Sequence, residues 1–255
     1  EVASLNAAGQ LTGVGIVASA LLAPPFAARA VAHAWQGAWL ALAVLALLAT
    51  AVTAAMTRSL QAPPQMAARP LPFDARPFVW ALGGYLMFGL GYIGYMTFVI
   101  TLLREQGLPP STAIAFYVLL GLGVVASSWL WAGLLQRHRG GRPMVVLNGL
   151  LARATAMLVV SAHPALVFAS GVLFGAVFLS VVASTTALVR HNLPPAAWPG
   201  GITAFTIVFA FGQIAGPVAV GWVADGPGGL VCGFAVSAGL LALGAVLAAQ
   251  QQPLQ

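Results

Sequence analysis

Arg153 is the residue whose position most directly suggests chemistry, because it lies near the middle of the apolar stretch 143–162. An arginine at the centre of a membrane helix costs roughly 2.5–3.5 kcal/mol on insertion, so we expect it to face a bundle interior or a watery cavity. No Asp or Glu lies inside any apolar stretch to pair with it. Two roles remain open: a clamp for a negative group on a substrate, and a structural arginine that caps carbonyl groups or extends to the interface.

Aromatic residues follow one side of an earlier apolar stretch, 78–103. Tyr85, Phe88, Tyr92 and Tyr95 are spaced i, i+3, i+7 and i+10, which places them along one helix face. The pattern has two interpretations. Tyr92 and Tyr95 offer hydroxyl groups and ring faces to an organic substrate, or the whole stripe is ordinary helix packing.

Two glycine-rich segments, 9–15 and 212–218, form an internal repeat with an offset of 203 residues. Gly-x-x-x-Gly spacing permits close approach of two membrane helices. Each copy also carries a glutamine, Gln10 or Gln213, which we interpret either as a substrate-binding donor in a cavity or as an interhelical hydrogen-bond partner. The glycines of the repeat and one proline are predicted to pack helices and to act in gating: Gly9, Gly13, Gly212, Gly216 and Pro217.

The composition identifies the solvent of this chain. Of its 255 residues, 60% are hydrophobic and 5% are charged, against roughly 45–50% and about 25% in soluble domains. The polar residues are too few to cover a water-soluble domain, so the surrounding solvent is predicted to be a lipid bilayer. The net charge of +6 comes from arginines between apolar stretches, which fits membrane orientation rather than nucleic-acid binding.

Eight stretches are long and apolar enough to cross a bilayer as helices, since a span needs roughly 20 such residues. They lack the alternation of barrel strands, and backbone groups in lipid must be paired internally. We therefore predict an all-α, polytopic membrane helix bundle with eight transmembrane helices. The predicted spans are 3–23, 35–56, 78–103, 112–135, 143–162, 165–190, 200–224 and 228–249.

A proline- and arginine-rich stretch, 57–77, divides the chain and is predicted to be a polar linker. Two helices in 1–56 precede it, six helices in 78–249 follow it, and 250–255 form a tail. With alternating loops, seven arginines lie on the side of the linker and two on the other. Because arginine-rich loops stay in the cytoplasm, the linker and both termini are predicted to be cytoplasmic.

The parallel repeat and the linker resemble the major facilitator superfamily, whose members have two six-helix halves joined by a long cytoplasmic loop. A cytoplasmic loop motif of that family is matched here at Gly133, Gly140 and Arg142, and these residues are expected to take part in gating. Arg137 and His138 replace an aspartate and an arginine of the motif. The resemblance implies that the chain contains helices five to twelve, lacks the first four, and does not transport by itself.

More narrowly, the segments 89–96, 182–190 and 192–198 look like the YbfB/YjiJ branch of bacterial transporters. The resemblance implies a secondary active transporter of a small organic solute, working by alternating access in a bacterial inner membrane with a proton as coupling ion. An anionic substrate would fit Arg153. Hydrolase, metalloprotease and Walker motifs are absent from the sequence, so no enzyme activity, cofactor or metal is expected. The alternative is a non-transporting membrane scaffold or a pore-like protein.

Overall fold

The computed structural model of the chain describes residues 11–22, 33–58 and 71–254. Within these residues the chain is helical and contains no strand, which confirms the all-α prediction. Two short 3-10 turns, Arg76–Phe78 and Pro195–Ala197, precede the third and eighth helices. The α-helices are α1 (Leu11–Leu22), α2 (Ala34–Thr57), α3 (Val79–Glu105), α4 (Pro110–Leu130), α5 (Ala132–Arg137), α6 (Arg142–Val160), α7 (Pro164–Asn192), α8 (Trp198–Ala224) and α9 (Gly229–Ala249).

Seven helical segments of the described residues are long and apolar enough to cross a membrane, and Leu11–Leu22 is a shorter apolar helix at the predicted first span. The predicted fourth span, 112–135, differs from the structure in one respect. The helix is interrupted at Trp131, so that α4 ends at Leu130 and the short α5 continues to Arg137. The side chain of Trp131 turns towards α7 and donates a hydrogen bond of 2.7 Å to the carbonyl of Ala176.

The helices from α3 onward pack into one bundle. Helix α3 packs against α8 and α9, α4 packs against α7, and α6 packs against α7 and α9. The largest enclosed side chains of the described residues are aromatic and come from five helices and from the 3-10 turn before α3: Phe78, Phe88, Tyr95, Phe116, Phe174, Phe205 and Phe234. Helix α1 crosses α4, whereas no described residue of α2 is buried. The division into 1–56 and 78–249 stays a prediction.

Four segments meet at one end of the bundle and are joined by hydrogen bonds to the residues after α9. The carbonyl of Gln251 accepts from Gly141 N–H at 2.9 Å, and its side-chain amide donates to the carbonyl of Pro77 at 3.0 Å. Leu254 N–H donates to the side chain of Asn192 at 2.7 Å. The start of α3, the α5–α6 loop, the end of α7 and the tail therefore share one end, as the predicted alternation of loops requires.

Candidate functional site

Tyr92 and Gln213 form a polar pair in the middle of two membrane helices. Tyr92 is the central residue of the 27-residue α3, and Gln213 lies two residues past the centre of the 27-residue α8. The side-chain amide of Gln213 donates a hydrogen bond of 2.5 Å to the Tyr92 hydroxyl. Tyr92 is 7% exposed and Gln213 is half-buried. The pair thus lies near the middle of two helices that are apolar and long enough to cross a membrane.

Pro217 adds a second polar group at the same place. It lies inside α8 and has no backbone N–H, so the carbonyl of Gln213, four residues earlier, loses its usual donor within the helix. A carbonyl without that donor is costly in an apolar environment unless another group pairs with it. Gln213 therefore combines a side-chain amide with a backbone carbonyl that lacks its i+4 donor.

Aromatic rings from three helices surround Tyr92. Its ring stacks on Phe88 of α3 at 4.7 Å between centroids, on Phe209 of α8 at 5.5 Å and on Phe178 of α7 at 6.3 Å. Stacked rings of this kind provide apolar, polarisable faces for an organic ligand. Neither Phe178 nor Phe209 is among the site residues predicted from the sequence. Each has an aromatic residue four positions earlier on its own helix: Phe174 precedes Phe178 in α7, and Phe205 precedes Phe209 in α8. This i, i+4 spacing is the signal that could have found them.

Tyr95 does not lie at this site, although it follows Tyr92 by only three residues. Its side chain is 0% exposed, and its ring stacks on Phe174 with the centroids 3.8 Å apart. Its hydroxyl is 2.8 Å from the hydroxyl of Ser170, which in turn donates to the carbonyl of Ala154 at 2.7 Å. The hydroxyl of Tyr95 is thus hydrogen-bonded and its ring is packed within the bundle, which favours the packing interpretation for Tyr95.

Arg153 also lies elsewhere than expected, because the structure exposes it on the outer side of α6. The opposite side of α6, which carries Leu147, Leu151, Ala154 and Leu158, is the one buried in the bundle. The helix packs mainly on α7 and α9 and is therefore peripheral. The expectation that Arg153 faces the bundle interior needs correction, and its substrate-clamp role stays a prediction that this placement does not favour.

The glycines of the repeat lie where helices cross. A Cβ atom on Gly13 would lie 2.8 Å from the carbonyl oxygen of Gly121, so α1 and α4 are in backbone contact. A Cβ on Gly212 would lie 3.0 Å from Gly89, and one on Gly216 would lie 2.6 Å from a carbonyl oxygen of α3. Their predicted role in gating is not tested by these distances. Two members of the repeat lie outside the described residues: Gly9 and Gln10.

The three motif positions around the α5–α6 loop have different surroundings. A Cβ on Gly140 would lie 3.0 Å from the carbonyl oxygen of Gln251, so this glycine lets the tail approach the loop. Nothing lies within 4 Å of the same position on Gly133, so packing does not require a glycine there. Arg142 is exposed at the first position of α6. Gating by these residues stays a prediction.

The comparison with known families agrees with this architecture. A family model described as an uncharacterised MFS-type transporter YbfB matches residues 1–249. No curated protein sequence matches the chain significantly. The family match and the seven apolar helices of the described residues together show a multi-pass membrane protein of a transporter family. The chain therefore belongs to the YbfB-type family within the major facilitator superfamily.

Proposed function

We propose that the protein is a secondary active transporter that moves a small organic solute by alternating access, and that Tyr92 and Gln213 bind this solute. The observation that carries the proposal is their 2.5 Å hydrogen bond at the middle of α3 and α8. The carbonyl that Pro217 deprives of its donor adds an acceptor, and Phe178 and Phe209 supply ring faces. A solute with a hydrogen-bonding group beside an apolar or aromatic surface would satisfy all of these groups.

The composition of the site also bears on the charge of the solute and on how a proton could be coupled to its transport. Arg153 is on the outer side of α6 and so does not supply a cation to the Tyr92–Gln213 pair, which supports a neutral solute more than an anionic one. The family resemblance adds a proton as coupling ion, together with a bacterial inner membrane and cytoplasmic termini. Since the eight stretches predicted as spans contain no Asp or Glu, a coupled proton would cross on the solute or through groups other than carboxylates of these stretches.

Counterflow in proteoliposomes that contain the complete gene product tests the proposal directly, because the 255-residue chain by itself is expected not to transport. Vesicles are loaded with a panel of unlabelled amino acids, carboxylic acids, sugars and aromatic metabolites, and uptake of the labelled compounds is followed by mass spectrometry. We expect saturable exchange of at least one compound. Tyr92→Phe and Gln213→Leu should then raise its KM by roughly 2- to 10-fold, because a lost hydrogen bond is worth about 0.5–1.5 kcal/mol.

Tyr95→Phe is the matched control, because it removes the same hydroxyl from the same helix at a position enclosed by the bundle. It should lower stability and leave KM unchanged. An equal rise of KM in Tyr95→Phe and Tyr92→Phe would show that the site is misplaced. Exchange no greater than in protein-free vesicles would indicate a scaffold, and uptake that rises linearly with concentration would indicate a pore.

A further inference from the structure

Three arginines surround a recess where the α5–α6 loop meets the tail. Arg137, Arg139 and Arg142 line it together with His138 and the residues after α9, and its volume is about 590 Å³. All three arginine side chains are exposed. None of them forms a hydrogen bond or an ion pair with another described residue. The recess therefore concentrates positive charge that the described part of the protein does not neutralise.

The backbone that carries these arginines is held in place by the surrounding segments. Gly141 N–H donates to the carbonyl of Gln251 at 2.9 Å, and the side-chain amide of Asn192 donates to the carbonyl of Arg139 at 2.7 Å. A Cβ on Gly141 would collide with the carbonyl oxygen of Ala248. The loop is thus fixed by main-chain contacts, and its cationic side chains are left available for a ligand.

The recess continues into the apolar part of the molecule. Val145, in the first turn of α6, and Ala249, the last residue of α9, are among its lining residues. Both helices are apolar enough to cross a membrane, so the recess lies at the depth of the lipid headgroups. Basic pockets at this depth between membrane helices suit anionic headgroups. A fitting ligand is therefore amphiphilic, with a negative group above an apolar chain.

The outer side of α6 carries positive charge and apolar surface from the recess towards the middle of the span. Arg142, Val146, Gly149 and Arg153 are separated by four, three and four residues, which places them on one side of the helix. Nothing lies within 4 Å of a Cβ built on Gly149, so a shallow notch separates the two arginines. Arg153 lies about 16 Å below Arg142, and helical side chains lean towards the N-terminus, which here is the end with the recess.

We propose that this surface binds one anionic phospholipid. Its phosphate contacts Arg137, Arg139 and Arg142, its acyl chains lie along the outer side of α6, and Arg153 reaches its glycerol ester oxygens. An exposed arginine within a span needs such acceptors, because the hydrocarbon core offers none. The position of Arg153 favours a lipid over a soluble phosphate, which would leave this arginine without a partner. The proposal does not depend on the transported solute.

Native mass spectrometry of the purified protein in a neutral detergent tests this assignment. The probes are phosphatidylglycerol, phosphatidylcholine and the water-soluble sn-glycerol 3-phosphate. We expect phosphatidylglycerol to bind more tightly than phosphatidylcholine. Added salt should weaken the binding of phosphatidylglycerol, because it screens the charges. Arg142→Gln should weaken phosphatidylglycerol binding about fivefold, and each further arginine removed from the recess should weaken it about fivefold again. Arg153→Leu should weaken this binding by a similar factor. Arg104→Gln, the same charge change at the end of α3, should have no effect.

Equal binding of the two phospholipids would overturn the proposal, as would an equal loss in Arg104→Gln and Arg142→Gln. Glycerol 3-phosphate that binds as tightly as phosphatidylglycerol would reveal a site for soluble phosphate and would overturn the lipid assignment. If the recess variants do not fold, the phospholipid comparison and the salt titration on the unaltered protein decide the question.

Discussion

Gly212→Ala tests whether α8 packs against α3 with direct backbone contact. The added Cβ would lie 3.0 Å from the Cα and carbonyl carbon of Gly89, whereas carbon atoms in good contact are about 3.5–4.0 Å apart. The helices must therefore separate by roughly 0.5–1 Å. No side-chain rotation relieves the clash, because the opposing atoms belong to the backbone.

The expected cost follows from two opposing effects. Overpacking a well-packed interface lowers the free energy of unfolding by about 1–3 kcal/mol. Replacing glycine by alanine inside a helix raises it by about 0.8–1.0 kcal/mol. Gly239→Ala in α9 is the matched control, because nothing lies within 4 Å of its Cβ position and only the helix-propensity gain applies. The two variants should differ by about 1–3 kcal/mol, equivalent to roughly 2–12 °C in Tm for a chain of this size.

Thermal unfolding of both variants, purified in the same detergent and heated at one rate, measures this difference. Gly212→Ala should unfold at the lower temperature. It should also raise the KM of any exchanged solute, because the separation of α8 from α3 stretches the Tyr92–Gln213 hydrogen bond one residue away. If Gly212→Ala is as stable as Gly239→Ala, the close crossing of these helices, and the position of the site built on it, are wrong.

Two further variants address the periphery. Gln251→Ala should destabilise the protein by about 1–3 kcal/mol, since its side chain accepts from Ala81 N–H and donates to the carbonyl of Pro77; thermal unfolding beside the exposed control Gln252→Ala measures this, and equal stability of the two would contradict it. Arg153→Ala should leave the KM of an exchanged solute unchanged, because the residue faces outward. A raised KM that Arg153→Lys partly restores would instead support the substrate clamp.

Local composition is enough to predict the helices of this protein. Each of the eight predicted stretches corresponds to a helix in the described residues, because a chain in lipid must pair its backbone groups within the segment and helices do so without any partner. The interruption at Trp131 is not predicted by composition; at this residue the side chain donates a hydrogen bond to the carbonyl of Ala176, 45 residues away. The close-packing role of Gly212 was readable from its spacing, but its partner Gly89 was not.

Which side of each helix faces its neighbours depends on contacts between helices that are distant in the sequence. In soluble proteins, polar residues mark the outer side of a helix, but these helices are apolar on all sides because their solvent is apolar too. Tyr92 and Tyr95 therefore looked equivalent, yet one hydrogen-bonds Gln213 and the other is enclosed beside Ser170. Arg153, which is expected to face the bundle interior or a watery cavity, is exposed on the outer side of α6. The apolar stretches alone predict membrane-spanning helices, whereas the packing of those helices sets which of their few polar groups meet.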